Sequence, residues 1–334
     1  MKFSLRLNND MPVEAYVALA QLADGLGFDQ FWVSDDLFLR SAPVILTAVA
    51  AATRRIEIGT CILNPYTLHP AEMAMMAATL DEYSGGRFNL GISSGAADFL
   101  GWIDIHPKRP LTAVVETVRA VRSLLAGDRA PIQGDWLRWS NEAYLRFKPK
   151  RRVPIYVGAM SPRMLSSIGE VADGGLPLLF PPENYANVLP YIEAGARRSG
   201  RSLDELDIAA CIWCSVAYDR EFALDALREK VAYYGHALSD MILEQLGLTR
   251  DDFAGIANAV MTENDMTRAK SMVTDRMLSV GVAGTVEDLI ARLETLVGLG
   301  VRHLSFGPPL GPDVAEAVRL IGEQVLPRFR RTVQ

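Results

Sequence analysis

A chain of 334 residues with 49% hydrophobic content can bury a large core, either as two domains or as one big α/β barrel. Its 34 basic and 40 acidic residues give a net charge of −6 and are interspersed throughout, so no basic stripe points to a nucleic acid or a membrane surface. The longest nearly apolar run, Ala42 to Thr53, is shorter than the ~20 residues that span a bilayer, and "MKFSLRLNND" lacks the apolar core of a secretion signal; a soluble cytoplasmic protein is expected.

Taken in chain order, short β-rich runs alternate with amphipathic helical runs, the pattern of α/β architecture with a parallel sheet. "KFSLRL" leads into a helix from about Pro12 to Leu26, with Asp10 near its N-cap and Gly27 at its stop. "QFWVSD" precedes the helix "APVILTAVAAAT", "IEIGTCIL" precedes "PAEMAMMAATLDEY", and "RFNLGIS" is followed, after a loop, by "LTAVVETVRAVRSLLAG". The second half repeats the unit: "VPIYVGA" with "SPRMLSSIGEVA", "GGLPLLF" with "NYANVLPYIEAGARRSG", "LDIAACIWCSVAY" with a helix around Phe222 to Gly235, and "VRHLSFG" with a helix from about Asp313 to Phe329. Eight strands and eight helices predict a single-domain (β/α)₈ barrel of about 250 residues plus insertions, with a doubly wound sheet as the alternative. The insertions fall at the loop Ala96 to Pro110, at a small hairpin in "PIQGDWLRWSNEAYLRFKP" and in a helical stretch from His236 to Val280. In a barrel the active face lies at the C-terminal ends of the strands, so the residues that follow each strand are the candidates.

"GISSG", Gly91 to Gly95, spells the G-x-S-x-G of a hydrolase nucleophile, with His303 and Asp288 as nominal partners for Ser93. That reading needs a helix directly after the serine, whereas "SGAADFLGWIDIHPKRP" shows no helical period before Leu111; a strand end whose Gly95 lets a flat ligand approach the backbone is the competing reading. Asp35 and Asp36 are adjacent carboxylates at the second strand end, where one could carry a raised pKa, or where either could cap a helix or pair with a cation. "GAMSPRML" places small residues and then Ser161 and Pro162 at a helix start, an arrangement that suits a phosphate or serves only as a cap. The basic run "KPKRRV" precedes its strand and so falls on the opposite face. Four histidines lack metal-ligand spacing, and no metal is expected. Three cysteines form no disulfide framework, and Cys211 and Cys214, three apart on a strand, point to opposite faces.

Together "MKFSLRL", "FDQFWVSDD", "IEIGTCILNPYTLHPAEMA", "SGGRFNLGISSGA", "VPIYVGAMSPRML" with "EVADGGL", "VAGTVEDLIARLETLVGLGVRHLSFG" and "GPPLGPDVAEAVRLIGEQVLP" resemble the bacterial-luciferase-like superfamily, nearly end to end. The likeness is to its coenzyme F420-dependent branch of methylene-tetrahydromethanopterin reductases. It implies a (β/α)₈ barrel, a homodimer or larger homo-oligomer, and a deazaflavin across the strand ends. A non-proline cis peptide at Cys61–Ile62 would support the ring, with Asp35, Asn64 and Gly95 near it. The phosphate cradle would be Gly158, Ala159, Met160 and Ser161, with Arg276 as a further contact. Asp36 is the expected proton-handling group and Glu116 a retained acid. Three departures stand against the family pattern: Asp36 where a histidine is frequent, Arg6 where the reductase has a glutamate, and Ala96 where it has an acid. The resemblance implies hydride transfer to or from a small organic substrate. An FMN-dependent monooxygenase of the same fold and a non-catalytic ligand-binding barrel are the alternatives.

Overall fold

In the computed structural model, which describes residues 1–330, eight parallel strands close into one barrel. In chain order they are Lys2–Leu7, Gln30–Val33, Glu57–Thr60, Phe88–Ile92, Ile155–Ala159, Gly174–Pro177, Asp207–Val216 and His303–Leu310. Closure comes from the first strand pairing with the eighth, Lys2 opposite His303 and Leu5 opposite Phe306, and from the seventh pairing with both the sixth and the eighth. The chain therefore forms the barrel and not the doubly wound sheet.

Strand alternation divides the apolar side chains into two cores. Phe3, Leu5 and Leu7 of the first strand join the large core under the helices, while Trp32, Tyr156, Leu176, Ala209 and Cys211 fill the lumen. Cys214 packs in the outer core and Cys211 in the lumen, so the C-x-x-C pair is split between faces; all three cysteines are free and buried.

The N-terminal end of the lumen is polar and hydrogen-bonded. Asp207 accepts from the Lys2 ammonium (2.7 Å), the Tyr156 hydroxyl (2.8 Å) and the His303 Nδ1 side (2.8 Å), and His303 Nε2 meets the Ser4 hydroxyl at 2.9 Å. Burial alone would raise the Asp207 pKa, but the charges and hydrogen bonds of His303 and Lys2 hold it well below the usual carboxylate range. Because the folded-state pKa is depressed, the stabilisation is complete above the unfolded pKa of about 3.9 and is lost as pH falls toward the folded value. Replacing Asp207 by asparagine is expected to cost roughly 3 kcal/mol in urea unfolding at pH 7 and to flatten the acid limb of stability against pH.

Two expectations need correction. The helix that returns the chain to the eighth strand is Val286–Gly298, which packs against the turn Pro182–Asn184 and the helical segment Ile321–Val325 and is preceded by a short additional strand Val282–Gly284 on the seventh. The helix Arg220–Tyr234, read as that connector, instead brings Lys230, Tyr233 and Tyr234 beside Leu7, Asp10 and Pro308 at the C-terminal mouth. Both are amphipathic runs after a β-branched strand, and local pattern does not say which one turns back along the barrel. Second, the loop Ala96 to Pro110 is not without a helix: Ala97–Gly101 forms one short turn-and-a-half. The other insertions are the hairpin Ile132–Gln133 with Arg138–Trp139 and the helices Asp240–Leu246, Arg250–Met261, Met266–Ser271 and Asp275–Leu278.

Candidate active site

The C-terminal strand ends surround a cavity of about 360 Å³. Its lining includes Asp35 and Asp36 from the second strand end, Cys61, Ile62 and Asn64 from the third, Ser93 to Ala96 from the fourth and Gly158 to Ser161 from the fifth. The lining mixes apolar Ile62, Leu178, Leu100, Met160 and Met164 with serine hydroxyls and the two carboxylates.

Asn9, fully buried, shapes the loop that presents the two aspartates. Its amide donates to the carbonyls of Asp36 (2.9 Å) and Arg40 (2.7 Å), and its Oδ1 accepts from the Ser34 hydroxyl and from the Asp36 amide. Asp35 Oδ1 accepts the Ala42 amide at 2.9 Å, which caps the helix Ala42–Ala52 in place of Ser41. Burial raises the pKa of Asp36; the Lys230 ammonium and the Ser34 hydroxyl draw it down, and the charges of Asp35 and Asp10 push it up. Asp35 is raised as well, by burial, against the pull of its Ala42 hydrogen bond. Two adjacent acids thus divide their work, one committed to a helix start and one facing the cavity with only a weak 3.4 Å contact from Ser34.

The third strand ends in a bulge stitched to the fourth: the Leu63 amide donates to Gly91 and the Ser93 amide to Leu63. Cys61–Ile62 is a cis peptide bond. Asn64 turns the chain by accepting the amides of Tyr66 and Thr67, each at 3.1 Å.

Both glycines of G-x-S-x-G now have structural reasons. A Cβ at Gly91 would lie 2.0 Å from the Thr60 carbonyl oxygen, and Gly95 has φ +75 with the Asn64 side chain 3.1 Å from where its Cβ would be. Gly95 therefore makes room for Asn64 as well as bordering the cavity. Ser93 donates its hydroxyl to the Gly158 carbonyl at 2.8 Å, and His303 sits at the opposite end of the barrel, bonded to Asp207 and Ser4. Asp288 caps the helix Val286–Gly298, so neither nominal partner stands by Ser93. Ser93→Ala is expected to lose about 1 kcal/mol of stability in urea unfolding and to change no esterase rate.

Ser161 begins the helix Pro162–Val171 in an extended conformation without using its own hydroxyl as a cap. First-turn amides of a helix have no intrahelical acceptor, and the positive end of the dipole faces the cavity here. Ser239, from the helical insertion, donates to the Met160 carbonyl at 2.8 Å and fixes this loop from above.

Two sequence-selected residues lie outside. Glu116 accepts the amides of Asp135 (2.9 Å), Trp136 (3.0 Å) and Leu137 (2.9 Å), which hold its pKa down against burial; its carboxylate anchors the hairpin and does not line the cavity. Arg276 is exposed and donates to the Gly247 carbonyl at 3.3 Å, away from the Gly158–Ser161 loop in the lining. Conversely, Lys230, Phe99, Leu178 and Ser239 were not legible. Lys230 sits in a run with the period of an ordinary surface helix, and only the tertiary path of that helix brings it to the mouth.

The family model for luciferase-like monooxygenases matches residues 3–303. The chain belongs to the luciferase-like monooxygenase family. Within it, this member is 34% identical over 327 residues to a 5,10-methylenetetrahydromethanopterin reductase of Methanolobus tindarius, covering 98% of this chain and 100% of the relative. A second relative, an F420-dependent glucose-6-phosphate dehydrogenase of Nakamurella multipartita, is 31% identical and is matched over 94% of this chain and 92% of its own. Among solved structures, the coenzyme F420-dependent tetrahydromethanopterin reductase of Methanopyrus kandleri superposes with a TM-score of 0.90 at 29% identity, over 98% of this luciferase-like chain and 99% of that one.

Proposed function

We propose that the protein is a coenzyme F420-dependent oxidoreductase that moves a hydride between the deazaflavin and a small organic substrate. The observation that carries this reading is the single cavity in which Ile62, Asn64 and the Gly158–Ser161 loop meet, in a chain that aligns over its full length with F420-dependent relatives of two kinds. The residues present fit the cofactor. The apolar lining residues Ile62, Leu178 and Met160 suit a flat ring, and a helix start with an uncommitted Ser161 hydroxyl suits a phosphate.

Bound there, the deazaflavin supplies the hydride donor or acceptor. Gly158, Ala159, Met160 and Ser161 hold its phosphate end, and Ile62 and Asn64 support the ring. Asp35 and Gly95 shape the floor, Asp35 through its hold on Ala42. Asp36 is the proton-handling group, its pKa raised by burial, because hydride transfer to a carbonyl or imine must be matched by a proton. The protein's larger share is positioning the partners and excluding water. Glu116 and Arg276 do not line this cavity.

The departures Arg6 and Ala96 set this chain's substrate apart from that of the reductases. An anaerobic assay of deazaflavin absorbance with carbonyl, imine and alcohol substrates tests the reading: substrate-dependent, oxygen-independent turnover supports it. Consumption of oxygen with reduced FMN, and none with the deazaflavin, would replace it by the monooxygenase alternative.

No described helix is long and apolar enough to cross a membrane. Three buried free thiols favour a reducing compartment, and we place the protein in the cytoplasm. The exposed Val44, Met75 and Tyr83 on neighbouring helices form the face we assign to a second copy of the chain. Light scattering at micromolar concentration should give twice the 36.7 kDa chain mass or more, and a monomer would remove that assignment.

A further inference from the structure

Ser34 stands two residues before Asp36, just past the end of the second strand, and its hydroxyl oxygen has three polar neighbours. The Asn9 backbone amide donates to it at 3.2 Å, Asn9 Oδ1 lies 3.0 Å away, and Asp36 Oδ2 lies 3.4 Å away. Which way the Asn9 side chain faces is fixed by its other end. Nδ2 donates to the Asp36 and Arg40 carbonyls, so the atom turned toward Ser34 is the oxygen, an acceptor. Ser34 therefore has two acceptors in reach, and a hydroxyl has one proton to give.

Asn9 Oδ1 does not depend on Ser34 alone, because it also accepts the Asp36 amide at 3.3 Å. Turning the hydroxyl from Asn9 to Asp36 thus leaves no buried acceptor bare. With Asp36 ionised, the Ser34 proton is worth more at the carboxylate, where the bond is charge-assisted. With Asp36 protonated the roles reverse: the carboxyl becomes a donor, Ser34 accepts from it, and the Ser34 proton returns to Asn9 Oδ1. Asp35 has no such exchange, since its hydrogen bond is with the Ala42 amide, which can only donate.

We propose that Ser34 is the positioning residue for Asp36, a two-way hydrogen-bond partner whose hydroxyl turns as the carboxyl gains or loses its proton and so holds Oδ2 in place through both states. Ser34 keeps its own proton throughout; the proton that moves passes between Asp36 and the substrate. The proposal rests on the reading of Asp36 as the proton-handling group. The other charged or titratable groups around Asp36 are Asp35 on the same loop, Asp10 after the first strand, Cys61 at the third strand end, and Lys230 and Tyr234 on the helix Arg220–Tyr234. Because the charge-assisted bond is the stronger, losing the hydroxyl takes more from the ionised form than from the protonated one, and Asp36 should then take up its proton at higher pH.

The test follows the carboxyl band of Asp36 by infrared spectroscopy of the full-length protein against pH, as the difference from Asp36→Asn, beside the pH profile of deazaflavin turnover. Ser34→Ala is expected to raise the carboxyl midpoint by about one pH unit and to move the turnover limb equally, with deazaflavin affinity within about twofold. Ser34→Thr, which keeps the hydroxyl, should bring the midpoint back to within about 0.3 of the unaltered protein. Lys230 itself titrates at about 7, so the comparison is repeated in Lys230→Gln, where the Ser34→Ala difference should persist. A purely structural role would lower stability to urea and leave the carboxyl midpoint in place; that result, or an equal shift in Ser34→Ala and Ser34→Thr, would overturn the proposal. If Ser34→Ala does not fold, Ser34→Cys, a weaker donor, should shift the midpoint in the same direction, and no shift there would overturn it as well. A shifted carboxyl midpoint in a protein without deazaflavin turnover keeps the pairing of Ser34 with Asp36 and removes the hydride reading. Turnover with limb and midpoint both unmoved in Ser34→Ala keeps that reading and overturns the pairing.

Discussion

Asp36→Asn is expected to lower kcat/KM for hydride transfer by about 10²–10⁴-fold while leaving deazaflavin affinity within about twofold. The loop that carries Asp36 is locked by Asn9 through the backbone of Asp36 and Arg40, so the isosteric amide should leave the loop in place. What changes is the capacity to give or take a proton. Since burial raises the Asp36 pKa, its limb in the pH profile should lie above the ordinary carboxylate range. In the reducing direction, where a proton is donated, the rate falls as pH rises through that pKa; in the oxidising direction it falls as pH drops through it. Steady-state rates in both directions from pH 4 to pH 9 measure this, and the limb should vanish in the variant. An unchanged profile would remove Asp36 from the chemistry.

Trp32→Ala is expected to cost about 3–5 kcal/mol in urea unfolding. The indole stands in register with Gly59, where a Cβ would come 2.3 Å from the ring, packs edge-on to Tyr156 at 5.0 Å, and donates to Gln30 Oε1 at 3.0 Å. Barrel strands tied in a closed ring cannot collapse onto the space left, so the cavity term adds to the lost burial. The midpoint should fall with the slope against denaturant unchanged. A loss below about 1 kcal/mol would mean that the lumen repacks and that Trp32 is not what fills it.

The barrel was legible because each strand is a short β-rich run followed by a helical period, and because periodicity is a local property. Its failure was equally local: Arg220–Tyr234 and Val286–Gly298 are both amphipathic, and only long-range packing shows that the second is the connector. At the site, the strand-end rule nominated Asp35, Asp36, Gly95 and the Gly158–Ser161 loop and the family resemblance added Asn64; the structure gathers them around one cavity. Glu116 bonds to hairpin amides, and in sequence a carboxylate that anchors a hairpin looks like one that faces a ligand. G-x-S-x-G misleads for a related reason: close backbone approach at Gly91 and a left-handed turn at Gly95 demand the same residues as a nucleophile elbow. Arg6 was visible only as a departure from the family pattern.

Equilibrium titration of the purified full-length protein with coenzyme F420 and, separately, with FMN, followed by cofactor fluorescence, tests the central claim most directly. The deazaflavin is expected to bind at least about tenfold more tightly than FMN, and Ser161→Ala to weaken it by about 1 kcal/mol through the lost phosphate contact. Tight binding of FMN with no affinity for the deazaflavin would contradict it.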